Sequence, residues 1–250
     1  MVSEAELEQV FRILAEELDK AVEQSMKDGA LIIQESYIKG VQKGNKDLKL
    51  INPNLLDIGP DPSAIEFLEG YNFELIKGVS NKQLKEIKLI IRNGILNGKG
   101  IRPITKQLRD VYNGSKWRLS TIARTEVMRA SNYGRYYSWN KSGVVKYKQW
   151  LTAYDDRVCP ECDSMNGEIT PIGQSFSSGE LMPPLHPNCR CTAIPYTKEV
   201  KMAFTDDYQP SRELKVKTLE EKYSRVLLSN FKKANTQIIR KLEVWWKYIR

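Results

Sequence analysis

From Leu7 onward, apolar residues recur at intervals of three and four. Val10, Phe11, Leu14, Leu18, Val22 and Met26 follow on one side of a helical wheel, behind a Ser3/Glu6 capping box. The pattern predicts an amphipathic helix over residues 3–43, weakened at Gly29 and ended by Gly40 and Gly44. Pro53, Pro60 and Pro62 then mark a turn or linker. A short helix over 63–77 is opened by Ser63, and a second capping box, Ser80 to Gln83, starts a helix through Leu84, Ile87, Ile91 and Ile95 that stops at Gly98-Lys-Gly100. Further helices are predicted over 101–112 and 116–140.

From Val144 the period falls to two. Val145, Tyr147, Gln149, Leu151 and Ala153 alternate with Lys146, Lys148, Trp150 and Thr152, as in a strand with two different faces. Cys191-Thr-Ala-Ile-Pro-Tyr196 reads as a return strand with an edge proline. Pro210 ends an irregular segment. Residues 218–249 predict a closing helix with Leu219, Tyr223, Leu227, Phe231, Ile238, Leu242 and Ile249 on one side, and a Trp245-Trp246 pair that must dock on this chain or a neighbour. The expected fold class is α+β, mainly helical, with a small antiparallel β-hairpin. Three regions follow: N-terminal helices over 1–78, a central domain over 79–200 and a C-terminal helix over 201–250.

With 41% apolar residues in 250, the chain can bury an ordinary core, and no apolar run reaches the length that spans a bilayer. The net charge of +8 is unevenly distributed. Residues 1–60 carry 7 basic and 11 acidic groups, residues 61–158 carry 18 and 9, and residues 192–250 carry 13 and 7. A basic middle and tail suit contact with a polyanion such as DNA or with an acidic partner. The helix over 116–140 sets Arg124, Arg129 and Arg135 among Tyr133, Tyr136 and Tyr137, an arginine-aromatic face that could lie on phosphates. The plainer reading buries the aromatics and lets the arginines snorkel.

All 4 cysteines and the single histidine fall in one stretch. The pattern is Cys159-x2-Cys162, an insertion over 163–185 rich in Gly, Ser and Pro, then His186-x2-Cys189-x-Cys191. Two ligand pairs on tight turns can close round one ion, so a structural zinc site is the first reading, ahead of two disulfides and of thiols without partners. No leader of the secretory kind precedes the chain, which favours a reducing compartment and counts against persistent disulfides. The insertion holds too few apolar groups to pack a core, so a cross-link at its base would offset its ordering entropy. Cys159 and Cys162 form the first ligand pair. Cys189 with Cys191 is the preferred second pair, His186 being the rival. No open catalytic position is expected.

Ile122-Ala-Arg-Thr-Glu126, Trp150-Leu-Thr-Ala-Tyr-Asp-Asp-Arg-Val-Cys-Pro-Glu-Cys162, Asn166-Gly167 and Pro183-Pro-Leu-His-Pro-Asn-Cys-Arg-Cys191 together resemble the phage Mu F-like minor head, or head morphogenesis, proteins over residues 79–197. The resemblance implies a minor capsid protein of a tailed phage or prophage, without enzymatic activity. It would sit in the virion interior near the portal and in the host bacterial cytoplasm during assembly. Its implied partners are the portal protein, the major capsid or scaffold protein and phage DNA, with no membrane. Arg124, Glu126, Arg129 and Arg135 are the candidate contacts to nucleic acid or a partner.

Two other classes compete. A metal-dependent enzyme acting on nucleic acid or nucleotides would draw on Arg124, Glu126, Asp155, Asp156 and His186. Against it, Arg124 and Glu126 are two apart on a helix and do not share a face, and Asp155-Asp156 suits a turn into the cysteine pair. A zinc-dependent DNA-binding regulator lacks a recognition helix at zinc-finger spacing.

Overall fold

A computed structural model describes residues 3–97, 99–197 and 214–248. Long helices dominate: α1 (Glu4–Ile51), α2 (Pro62–Leu96), α3 (Ile101–Ser142) and α5 (Leu214–Tyr248). Between α3 and α5 lie β1 (Tyr147–Leu151), the one-and-a-half-turn α4 (Pro160–Met165), β2 (Ile169–Pro171) and β3 (Thr192–Tyr196). The expected mainly helical α+β class holds. Pro210 and Ile249 lie outside the described residues, as does Gly98 in the expected stop before α3.

The helices run further than the periodicity predicts. α1 passes through Gly40 and Gly44, α2 joins the two segments expected to part at Ser80, and α3 is unbroken across Gly114. The start of α2 is capped by Asp61, whose carboxylate accepts the Ser63 amide at 3.0 Å, with Pro62 in the first turn; Ser63 is not the cap. Ser80 and Gln83 are buried side chains within the helix. At the amino end, Ser3 and Glu6 form the expected reciprocal pair, the Ser3 amide donating to Glu6 at 2.8 Å.

The chain divides into two compact units, each built from separated segments. The first comprises residues 1–30, 70–122 and 223–250, and its described secondary structure is all helical. Phe11, Leu14, Leu18, Ile91, Leu108, Leu227, Phe231 and Leu242 are buried in it. Polar ties supplement that core: Lys241 donates to Glu17 at 2.8 Å and Tyr112 to the Leu228 carbonyl at 3.0 Å. Trp246 is buried, so the tryptophan pair does dock within the chain.

The second unit comprises residues 31–69 and 123–222 and holds the sheet. β1 is central and pairs antiparallel with both neighbours in the order β2-β1-β3; Lys148 stands opposite Thr170 on one side and Pro195 on the other. Pro195 therefore lies on an edge strand, as expected. The inward face of β1 carries Lys148 and Trp150, while Tyr147 is exposed. The insertion departs from expectation: it supplies β2, and its Met165, Phe176 and Met182 join a core with Trp139, Val145, Trp150 and Ala193. Phe176 meets Trp150 edge-on at 5.1 Å.

Glycine explains why α1 and α3 survive residues that read as breakers. A β-carbon on Gly40 would fall 2.1 Å from the Ser131 carbonyl oxygen, and one on Gly134 would fall 2.2 Å from that of Tyr37. The two helices meet backbone to backbone here, which only glycine allows. Gly134→Ala is expected to lower stability by about 1–3 kcal/mol or more, although alanine is the better helix former. Gly114→Ala, with open space around the position, is expected to be neutral or stabilising by up to about 1 kcal/mol. Denaturant titration of the two variants checks the contrast.

Candidate metal centre

Cys159 caps α4: its backbone is extended, its carbonyl accepts the Asp163 amide at 2.9 Å, and its sulfur accepts the Cys162 amide at 3.3 Å. Pro160 at the first helical position suits that geometry. This cap turns the Cys159 and Cys162 sulfurs toward a common point. The second knuckle is a turn in which the Cys189 amide bonds the His186 carbonyl at 3.1 Å and Asn188 takes a left-handed conformation. The two knuckles bring all five donors together.

His186 Nε2 lies 3.1 Å from both the Cys159 and the Cys162 sulfur, and the Cys162 and Cys189 sulfurs are 3.6 Å apart. The donors form two triads that share Cys162, one with Cys159 and His186 and the other with Cys189 and Cys191. All four cysteines are free thiols. A tetrahedral ion with bonds of about 2.3 Å to sulfur and about 2.0 Å to nitrogen places its ligands roughly 3.5–3.8 Å apart. The donors suit zinc in chemistry, and within each triad all three ligand atoms lie within 4.8 Å of one another. His186 Nδ1 lies 2.9 Å from the Pro187 carbonyl, a bond that assigns the proton to Nδ1 and turns the Nε2 lone pair toward the sulfurs.

The electrostatics express the same crowding. The bond with Cys191 holds the Cys189 thiol down to about 5, while burial pushes Cys162 up to about 12. The bond with Cys189 and burial both push Cys191 up. For Cys159, bonds from Cys162 outweigh burial and lower the thiol. Burial opposes charge on His186, but the Pro187 carbonyl and the neighbouring sulfurs win and raise its value. Thiols packed so closely cannot all ionise unless a cation joins them.

The helix motif Ile122-Ala-Arg-Thr-Glu126 holds the second knuckle. Thr125 Oγ1 accepts the Asn188 amide at 3.0 Å, and Arg124 donates to the Asn188 side chain at 3.1 Å. Further along α3, Asn132 donates to the Pro183 and Cys191 carbonyls at 3.1 and 3.2 Å. Arg135 then bonds Thr192 at 3.0 Å and Asp47 at 2.8 Å, and Asp47 also accepts the Trp139 indole at 3.2 Å. Arg135 is 1% exposed, so the structure removes it from the candidate nucleic-acid contacts: its charge is consumed inside the protein. Glu126 is likewise buried, where burial raises its carboxyl and Arg129, 3.0 Å away, counters. Arg124 is about half exposed, 3.8 Å from Glu220, whose carboxyl burial pushes up to about 7. α3 is thus a backboard for the knuckles.

Asp155 is held by Arg190 and Arg157, with Arg190 Nη2 at 2.5 Å, and the Arg190 guanidinium keeps its carboxyl well below the usual range. The Asn166-Gly167 pair also has a local role. Asn166 Oδ1 accepts the Thr152 amide at 3.1 Å, and Gly167, at φ 85°, turns the chain from α4 into β2. The alternation along β1 does not single out Lys148, yet it is a buried anchor. Its ammonium donates to the carbonyls of Pro171, Ile172 and Gln174 at 3.4, 2.8 and 2.5 Å, and burial pulls its value down to about 8.

Fold and site together define a mainly helical protein with a small sheet clasped by a cysteine-histidine cluster. Residues 85–194 match the Phage Mu protein F like protein family, a stretch that holds α3, β1, β2, the start of β3 and every cluster donor. The match covers under half of the chain and leaves α1 and α5 outside it. A Bacillus subtilis (strain 168) protein, "Uncharacterized protein YqbB", is 27% identical over 158 residues, 54% of this chain and 52% of that protein, so the chain aligns with about half the length of this relative. No solved structure matches. Among the described residues, no helix is long and apolar enough to cross a membrane.

Proposed function

We propose that the protein is a minor head protein of a tailed phage or prophage, acting in head morphogenesis, and that zinc in its cysteine-histidine cluster is structural. The observation that supports this reading is the coincidence of the family match with the clasped module: residues 85–194 contain the backboard helix, the sheet up to the middle of β3 and all five donors. Cys159, Cys162 and Cys189 would hold the ion. His186 completes the set better than Cys191, because its Nε2 already faces the first two sulfurs at 3.1 Å. Zinc bound there supplies a cross-link and no reaction. The portal, a scaffold or major capsid protein and packaged DNA are the proposed partners, and the capsid interior near the portal is the proposed location, reached from the bacterial cytoplasm.

The enzyme alternative loses its carboxylate pair, since Asp155 is committed to Arg190 and Arg157. Quantitative mass spectrometry of particles from the source phage or induced prophage tests the head reading. Recovery at a few copies per particle is expected, and comparison of DNA-filled with empty heads shows whether the protein leaves with DNA. Absence from both kinds of particle overturns it.

A further inference from the structure

In the helical unit, which does not include the metal centre, α3 and α5 line an open cavity of about 430 Å³. Its walls carry Arg109 and Lys116 from α3 and Lys232 and Arg240 from α5, against a single acid, Glu243. All four cations are exposed, and none pairs with a carboxylate among the described residues; Lys116 instead lies 5.0 Å over the Tyr112 ring. Asn113, Asn235 and Thr236 add neutral hydrogen-bonding groups between them. Tyr112, whose hydroxyl is spent on the Leu228 carbonyl, and buried Ile239 complete the lining.

The spacing identifies the kind of anion. Arg109 and Lys116 are seven residues apart on one helix, and Lys232 and Arg240 eight apart on the other, so each pair spans roughly 10–12 Å along its axis. A single phosphate or carboxylate calls for charges converging on one point. Two spaced rows of cations, with amide and hydroxyl groups interspersed, suit a run of consecutive phosphates. We infer that this groove takes the phosphodiester backbone of nucleic acid, without regard to sequence. The site differs from the arginine face of α3 expected from the sequence, and α5 lies outside the family match. It does not depend on the head reading, since groove binding is measured on purified protein and head membership on particles.

The test uses the full chain and a mixed-sequence DNA duplex of about 25 base pairs, followed by fluorescence anisotropy over a salt series. Wild-type protein is expected to bind with steep salt dependence. The variant Arg109→Gln/Lys116→Gln/Lys232→Gln/Arg240→Gln, all at exposed positions, is expected to flatten the log–log slope by roughly 3–4, because each neutralised phosphate contributes about 0.9 to it. Lys82→Gln/Lys85→Gln, at exposed positions on α2 away from the cavity lining, serves as a charge control and is expected to leave the slope within about one unit of wild type. Circular dichroism confirms that each variant is folded. No DNA binding by wild type, or an unchanged slope in the quadruple variant, overturns the inference. Binding of polyglutamate as tight as that of DNA also overturns it, assigning the groove to an acidic protein.

Discussion

Chelation of the purified protein is expected to lower its thermal midpoint by on the order of 10 °C, and one equivalent of zinc to restore it. Metal in small sites of this kind is worth about 10–16 kcal/mol of apparent binding free energy. Much of the second unit has its own support, since Met165, Phe176 and Met182 are buried with Trp139 and Trp150. A bound ion would therefore stabilise mainly the two knuckles, and a net loss of about 4 kcal/mol in a chain of 250 residues corresponds to the stated shift. Protease cleavage of the stripped protein should concentrate near residues 157–162 and 186–190, where the turns lose their cross-link. X-ray absorption separates three sulfurs with one nitrogen from four sulfurs, and hence His186 from Cys191. A melting curve that ignores chelation, in protein shown to have lost its metal, removes the structural zinc.

Breaking the buried pair of Asp47 and Arg135 is the next largest effect. Asp47→Ala leaves a guanidinium at 1% exposure beside Thr192 with its countercharge gone, and the cost expected is about 3–5 kcal/mol. Asp47→Leu combined with Arg135→Met removes both charges and should recover most of that loss. Arg124→Ala, at a half-exposed cation, should cost under about 1 kcal/mol. Urea titration of the variants decides it: if Asp47→Ala is as mild as Arg124→Ala, the pair does not hold this unit together.

The same pair shows what was legible in advance. The apolar stripes of α1 and α5 predict buried faces because each lies within one helix, and the five donors are legible because sulfur and imidazole seldom cluster without a use. Arg135 reads as surface because its partner is 88 residues away, and nothing local to the helix announces an internal anion. Gly40 and Gly44 read as stops for a similar reason. Whether a glycine ends a helix or admits a neighbour depends on what crosses it, and that neighbour, α3, meets them through residues some 90 positions later. The insertion is poor in apolar residues by count, yet three of them are well placed, and position decides a core more than number.

Lys148 adds a consequence for proteins that gain or lose their ion in the cell. Three main-chain oxygens converge on its ammonium as they would on a small dissolved cation, but this cation is tethered to β1 and cannot be competed away. Were zinc to leave the cluster, these contacts would still hold the turn after β2, and the sheet would remain as a template on which the two knuckles could close again.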